Sequence, residues 1–393
     1  MTELSHLSTD LIELILSFLP IPTLIRSSTV CKLWHSIISS ASFSKTNNNK
    51  NKPWFFLHGI HNISSKNNQS FAFDPTSNSW FLLPTFPTTS TTTTTNNHQN
   101  QPNNSFIGTK GFFFITAPRF CYTRILRPAS WHATSPLHFS RINPLLGVFN
   151  DDEPGLHPNF IVVGGVKFIG NLVDIEDRLD VEIYDPVQGT WELSPPLPAD
   201  FRSGNSSSSL SSAMFKGRFY VFGIYSCFVA SFDLKQRNWS DVMTLRPHPA
   251  VVFCFLIPSR NHLVLAGVCN SSVQGGCSFN LWKVDEGTME VSEIGAMPRE
   301  LLYEMFDGDE DDKFASLKCV GGDDVVYVFN EDYHRVYPSC VCEIDADSGR
   351  CSWRRVPQLP SPVNKFHKVI SFCSTLSLHT ILGDDDDQHL QIQ

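Results

Sequence analysis

Residues 73–84 read FDPTSNSWFLLP and residues 184–198 read YDPVQGTWELSPPLP. In both, an aromatic residue precedes Asp-Pro, a Trp stands six residues after the Asp, and Leu-Pro follows. A third copy, Phe232-Asp233 with Trp239, keeps the six-residue offset. Looser copies extend the series. Val284-Asp285 continues to Gly287-Thr288-Met289 and Met297-Pro298, with Met where Trp is expected. Ile344-Asp345 continues to Trp353 and Leu359-Pro360, with two extra residues expected in the turn. Leu126-Arg127-Pro128 with Trp131 fills the gap between the first two copies. Taking position 127 with Asp74, Asp185, Asp233, Asp285 and Asp345, the intervals are 53, 58, 48, 52 and 60 residues.

The segments around these marks are short and β-like: WFFL at 54–57, FFFIT at 112–116, FIVVGG at 160–165, FYVFG at 219–223, HLVLAG at 262–267 and VVYVFN at 325–330. Each is bounded by Gly, Pro, Asn or Asp, as strands that end in turns are. The aromatic-Asp-Pro element ends one strand and opens a hairpin turn, where Pro fixes φ. A Trp on the returning strand would bury its large ring between neighbouring units. A period of ~50 residues made of short strands predicts a propeller whose blades are small antiparallel sheets. Six marks predict six blades, with residues 366–382 (FHKVISFCSTLSLHTIL) as the late strand region that closes the ring. Which blade receives that strand is not readable from the chain.

Upstream the texture is helical. Residues 1–45 contain a first helix capped by Ser8, Thr9 or Asp10 and running to about Phe18, broken by Pro20 and Pro22. A second helix is expected from near Thr23 and a third over roughly Val30–Ser39. Residues 46–53 are a polar, Asn-rich linker, and 54–382 form the ring. Residues 85–105 form a Thr/Asn-rich segment expected to lack structure, and 383–393 an acidic tail. Leu11, Ile12, Leu14, Ile15, Leu16, Phe18 and Leu19 leave the first helix almost no polar face, so it needs cover on all sides. Three short helices cannot supply that alone. The Asn-rich linker argues against tight docking on the ring and in favour of a separate protein.

Composition removes several classes of function. The chain has 393 residues with 41% apolar and 18% charged, a globular balance. Its net charge of −9 offers no clustered cations for phosphate, so nucleic-acid binding is not expected. The acidity is local: residues 307–312 hold five acids and 384–387 hold four. Eleven irregularly spaced cysteines do not make a disulfide framework. The segment 11–19 lacks the basic leader of a secretory signal. The longest later apolar run, Ala250–Ile257, is far short of the ~20 residues that span a bilayer. A cytoplasmic or nuclear protein without a membrane partner is expected.

Signals for chemistry dissolve on inspection. Cys340, Cys342 and Cys351 lack zinc-type spacing, so no metal is assigned to them. Asp307, Asp309 and Asp311 imitate a calcium loop, but Asp312 stands where Gly is needed and Lys318 where Glu is needed. The Gly-Gly pairs at 164–165, 275–276 and 321–322 open no helix. His6 and His35 read as solvent-facing or packing residues. No nucleophile is placed with a base, so no catalytic residue and no cofactor is expected.

The Asp/Trp marks and the Gly-Gly strand ends at 164–165 and 321–322 resemble kelch repeats. Residues 7–38 resemble an F-box in Leu7, Leu11-Ile12, Ile15-Leu16, Leu19-Pro20, Val30-Cys31-Lys32 and Trp34. One position departs: the family usually opens its first helix with Leu-Pro, and here the pair is Leu7-Ser8. The whole chain resembles the plant F-box/kelch-repeat proteins. That resemblance implies a mainly β fold, a six-bladed kelch-type β-propeller preceded by a small three-helix F-box. It also implies a non-catalytic substrate-recognition adaptor of a Skp–cullin–F-box ubiquitin ligase. The F-box would bind the Skp adaptor, and cullin through it, using Leu7, Leu11, Ile15, Leu19, Pro20, Val30 and Trp34, while the ring holds a target protein. Asp74, Trp80, Trp131, Asp185, Trp191, Asp233, Trp239, Asp285, Asp345 and Trp353 would be repeat-structural. A kelch interaction scaffold independent of the ligase is the alternative.

Overall fold

The computed structural model describes residues 7–40, 42–44, 52–61, 63–85, 105–117, 119–149, 158–169, 172–174, 179–204, 208–271, 276–306, 313–332, 337–345, 349–363, 367–376 and 378. Most of the Asn-rich linker, nearly all of the Thr/Asn-rich segment, His6, the acidic run at 307–312 and the acidic tail lie outside these residues.

Three helices come first: α1 (Thr9–Leu16), α2 (Ile21–Ser28) and α3 (Lys32–Ser39). Ser8 caps α1, its Oγ accepting the Leu11 amide at 3.4 Å. The Leu7-Ser8 variation therefore keeps a working helix start. The first helix is shorter than expected, ending at Leu16. The second begins earlier than expected: Pro20 is the N-cap of α2 and Pro22 sits in its first turn, where no amide hydrogen is needed.

Six antiparallel sheets follow, each a meander read here from its first strand to its last. Blade 1 is His367–Ser374, Trp54–His61, Gln69–Asp74 and Ser79–Leu82. Blade 2 is Ser105–Thr109, Phe112–Ala117, Cys121–Arg124 and Arg127–Ala133. Blade 3 is Leu145–Phe149, Asn159–Val163, Val181–Asp185 and Thr190–Ser194, with a hairpin (Lys167–Ile169, Leu172–Asp174) between its middle strands. Blade 4 is Leu210–Phe215, Arg218–Gly223 and Phe228–Asp233, its last position shared by Asn238–Trp239 and Met243–Thr244. Blade 5 is Val251–Pro258, Leu263–Ser271, Gly276–Val284 and Val291–Ala296. Blade 6 is Leu317–Gly322, Val325–Asn330, Ser339–Ile344 and Cys351–Arg355.

First strands touch first strands all the way round, from blade 1 through blade 6 and back to blade 1, so the sheets close a ring about one axis. The late strand belongs to blade 1, where Trp54 pairs with Ser374 and His61 with His367. Closure removes the open first-strand edge that blade 1 would otherwise carry. Close approach at the axis requires glycine. A Cβ on Gly108 in blade 2 would lie 2.0 Å from the Phe372 ring of blade 1, and one on Gly321 in blade 6 would lie 2.7 Å from Ile257 of blade 5.

The Asp marks work as turn caps. The carboxylates of Asp74, Asp185, Asp233 and Asp285 each accept two backbone amides two and three residues on, as from Val187 and Gln188 at Asp185. Three Trp marks reach across a seam. Trp80 Nε1 donates to Pro357 O of the chain leaving blade 6 at 2.7 Å, Trp191 to Ser135 O after blade 2 at 2.9 Å, and Trp239 to Pro195 O after blade 3 at 2.9 Å. In these three copies the Trp pairs with the aromatic residue before the Asp: Phe73, Tyr184 and Phe232.

Three looser copies need correction. In blade 5, Val284 pairs with Val291, so Val291 holds the Trp position, while Met289 lies in the turn with φ 55°. In blade 6 the turn has the usual length, with Gly349 N donating to Asp345 O as Gly189 N does to Asp185 O. The two extra residues instead move Trp353 one pleat along the strand, opposite Cys342, which keeps it on the same face. In blade 2, Arg127 lies beyond the turn on the last strand and pairs with Arg124, so it is not the counterpart of the Asp marks.

A buried ion pair secures the connection from blade 2 to blade 3. Arg141 and Glu182 are both fully enclosed, with Nη2 to Oε1 at 2.6 Å. Glu182 also accepts the His138 and Phe139 amides, while Arg141 donates to Gly164 O and Asp180 O.

Candidate functional site

The three helices sort their apolar side chains into two groups. Ile12 and Leu16 of α1, Ile21, Leu24 and Ile25 of α2, and Ile37 and Ile38 of α3 are buried together with Phe43. Leu11, Leu14, Ile15 and Phe18 point the other way, joined by Leu7 before α1, by Val30 in the α2–α3 turn and by Leu33. The contrast between adjacent residues is sharp: Leu16 is 0% exposed and Ile15 49%, and Val30 reaches 65%. Residues 11, 14, 15 and 18 are a stripe at i, i+3, i+4 and i+7, so one side of α1 is apolar and faces out. Asp10, Arg26 and Lys32 are exposed charges on the same module.

Of the residues expected to bind a partner, Leu7, Leu11, Ile15, Pro20 and Val30 are exposed. Leu19 and Trp34 are half-buried and pack against the inner group. Leu14 and Leu33, exposed and apolar, were not among those expected; the i, i+3 spacing of Leu14 from Leu11 is the signal that could have found it. The inner group is not closed by the helices alone. It belongs to one continuous apolar core with Trp54, Phe56, Phe113, Ile125 and Leu126 of blades 1 and 2, and with Leu376 and Leu378 beyond the closing strand. Contrary to the expectation drawn from the Asn-rich linker, the module packs onto the ring through this core on one side and leaves its other side open.

The junction is held at a second point. Tyr327 of blade 6, fully buried, donates its hydroxyl to Pro53 O at 2.6 Å, and Lys52 Nζ meets Glu343 at 2.6 Å. Burial raises the Tyr327 phenol well above its usual pKa, so it stays a donor.

The two faces of the ring differ. Trp54 and Ser374 are paired, so the chain enters and leaves the ring on one face, which also carries the Asp turns. Connections on that face are mostly tight, such as 75–78, 216–217 and 323–324. The strand ends that flank the longer stretches lie on the opposite face: Leu82 and Ser105, Ala133 and Leu145, Val163 and Val181, Ser194 and Leu210, and Ala296 and Leu317, the last two with α4 (Arg299–Glu304) between them. Loops of that kind on a stable scaffold are where binding residues concentrate.

Other signals resolve into packing. Cys340 and Cys342 are buried on one face of their strand, and the half-buried Cys351 packs against the same core. Burial raises the Cys340 thiol to about 12. His35 is exposed on α3. No helix among the described residues is long and apolar enough to cross a membrane.

Known proteins match at both levels. Residues 4–46 fit the family model described as the F-box domain. An F-box/kelch-repeat protein of Arabidopsis thaliana is 25% identical over 386 residues, covering 95% of this chain and 91% of that one. Another F-box/kelch-repeat protein of that plant is 38% identical over 90 residues, covering 22% of this chain and 21% of that one. The Arabidopsis thaliana protein UNUSUAL FLORAL ORGANS is 22% identical over 394 residues, covering 91% of this chain and 79% of that one. The helical module is an F-box and the ring a six-bladed kelch-type propeller, and the chain belongs among the plant F-box/kelch-repeat proteins.

Proposed function

We propose that the protein is a non-catalytic substrate-recognition adaptor of a Skp–cullin–F-box ubiquitin ligase, working in the cytoplasm or nucleus. The open apolar stripe of the F-box carries this reading. Leu11, Leu14 and Ile15 face outward while their neighbours Ile12 and Leu16 are enclosed. A soluble chain that keeps such a stripe open presents an interaction surface. The Skp adaptor is the partner that an F-box implies, with cullin held through it. The ring then offers a target protein its long-loop face, away from the F-box. The contribution to rate is proximity: the adaptor raises the effective concentration of target beside the ubiquitin-transferring machinery.

A pull-down tests the reading. Wild-type chain should retain the Skp adaptor in stoichiometric amount. The double variant Leu11→Asp/Ile15→Asp should lose it while keeping the wild-type unfolding transition, because both side chains are exposed. Failure of the wild type to bind would leave the ligase-independent scaffold in its place.

A further inference from the structure

The buried core of the F-box is continuous with residues from the far end of the chain. Eight apolar side chains of the module, from Ile12 to Phe43, are 8% exposed or less, although each of its three named helices has eight residues. Helices that short cannot enclose so many large side chains and also leave an apolar stripe open. Leu376 and Leu378, just past the closing strand, are themselves buried and lie in the same continuous core as Leu16, Ile38 and Phe43. They are placed there because the strand before them, His367–Ser374, is zipped to Trp54–His61 in unbroken register. The chain entering the ring is fixed as well, by Tyr327 on Pro53 O.

We propose that Leu376 and Leu378 are working parts of the F-box, so that the module holds its binding form only while the propeller is closed. Ring closure places the two leucines; the leucines complete the inner core; the inner core fixes α1, whose other side is the outward stripe. This deepens the adaptor reading and rests on it only for its binding arm.

Hydrogen exchange on the full-length chain decides the matter without any partner. In the Leu378→Ala variant, amides of α1–α3 should lose protection at least tenfold relative to wild type, whether or not the ring strands fall with them. Unchanged protection of α1–α3 would overturn the proposal, as would a loss confined to the ring. A second, independent arm uses Leu376→Asp/Leu378→Asp in the same pull-down. If wild type binds the Skp adaptor, this variant should bind at least tenfold more weakly, and wild-type affinity would overturn the coupling. Should wild type not bind at all, the ligase reading falls while the exchange result still stands on its own.

Discussion

His58 shows how a single side chain takes its properties from the seam it occupies. It lies on the second strand of blade 1, with its Nδ1 2.9 Å from Ser70 Oγ and its ring centre 4.9 Å from that of Phe113 and 5.7 Å from that of Phe372. Burial drives its pKa down from 6.5 to about 3. The folded chain therefore holds this imidazole neutral at a pH where the unfolded chain protonates it. Stability from this group is full above about pH 6.5 and is lost as pH falls toward 3, at up to about 1.4 kcal/mol per pH unit. Urea unfolding followed between pH 7 and 4 should show that decline, and His58→Gln should flatten it. The F-box stripe is another residue-scale matter. The F-box resemblance points to Leu11 and Ile15, but a helix apolar on nearly every side carries no internal sign of which side is inward. What sets Ile12 and Leu16 apart from their neighbours is membership of the core that runs from the helices into the ring, which is a long-range property.

At the scale of elements, the hairpin marks divide the work between turn and seam. Asp shapes the turn, and Trp joins one blade to the chain leaving another. The indole bonds of Trp80 and Trp239 to backbone oxygens should each contribute about 1 kcal/mol. Trp353 differs: its indole nitrogen is buried with no acceptor among the described residues. Trp239→Phe should therefore lower stability by about 1 kcal/mol beyond its packing loss, whereas Trp353→Phe should recover part of its loss by removing an unsatisfied donor. Equilibrium denaturation of the two variants side by side would read the difference. The same marks explain what was legible. Copies with Asp-Pro and a Trp six residues on were placed correctly because turn and pairing register are local. Blade 2 reads out of line because Arg127 stands beyond a turn that has no Asp, and the two extra residues before Trp353 do not show whether they lengthen the turn or the strand, since a shift of two preserves the face. The destination of the last strand was not legible at all, since its partner lies some three hundred residues away.

For the molecule as a whole, the seam between blades 1 and 2 is where ring closure and F-box support meet. Gly108 faces Phe372 there with no room for a Cβ. Gly108→Val should force the two first strands apart, costing about 1–3 kcal/mol or more and lowering the thermal transition of the entire ring. A wild-type transition temperature in scanning calorimetry would show that the seam can yield.

The pairing of Trp54–His61 with His367–Ser374 also has a consequence in time. A ribosome releases the chain from its N-terminus at about 5–20 residues per second. The WFFLHGIH strand would thus wait roughly a quarter of a minute to a minute before its inner neighbour is made. Through that interval its edge amides and carbonyls, flanked by Trp54, Phe55 and Phe56, are open to any other strand nearby. Newborn chains on one messenger would be at risk of pairing with each other, and the nascent polypeptide would be a natural client for chaperones that shield extended apolar segments.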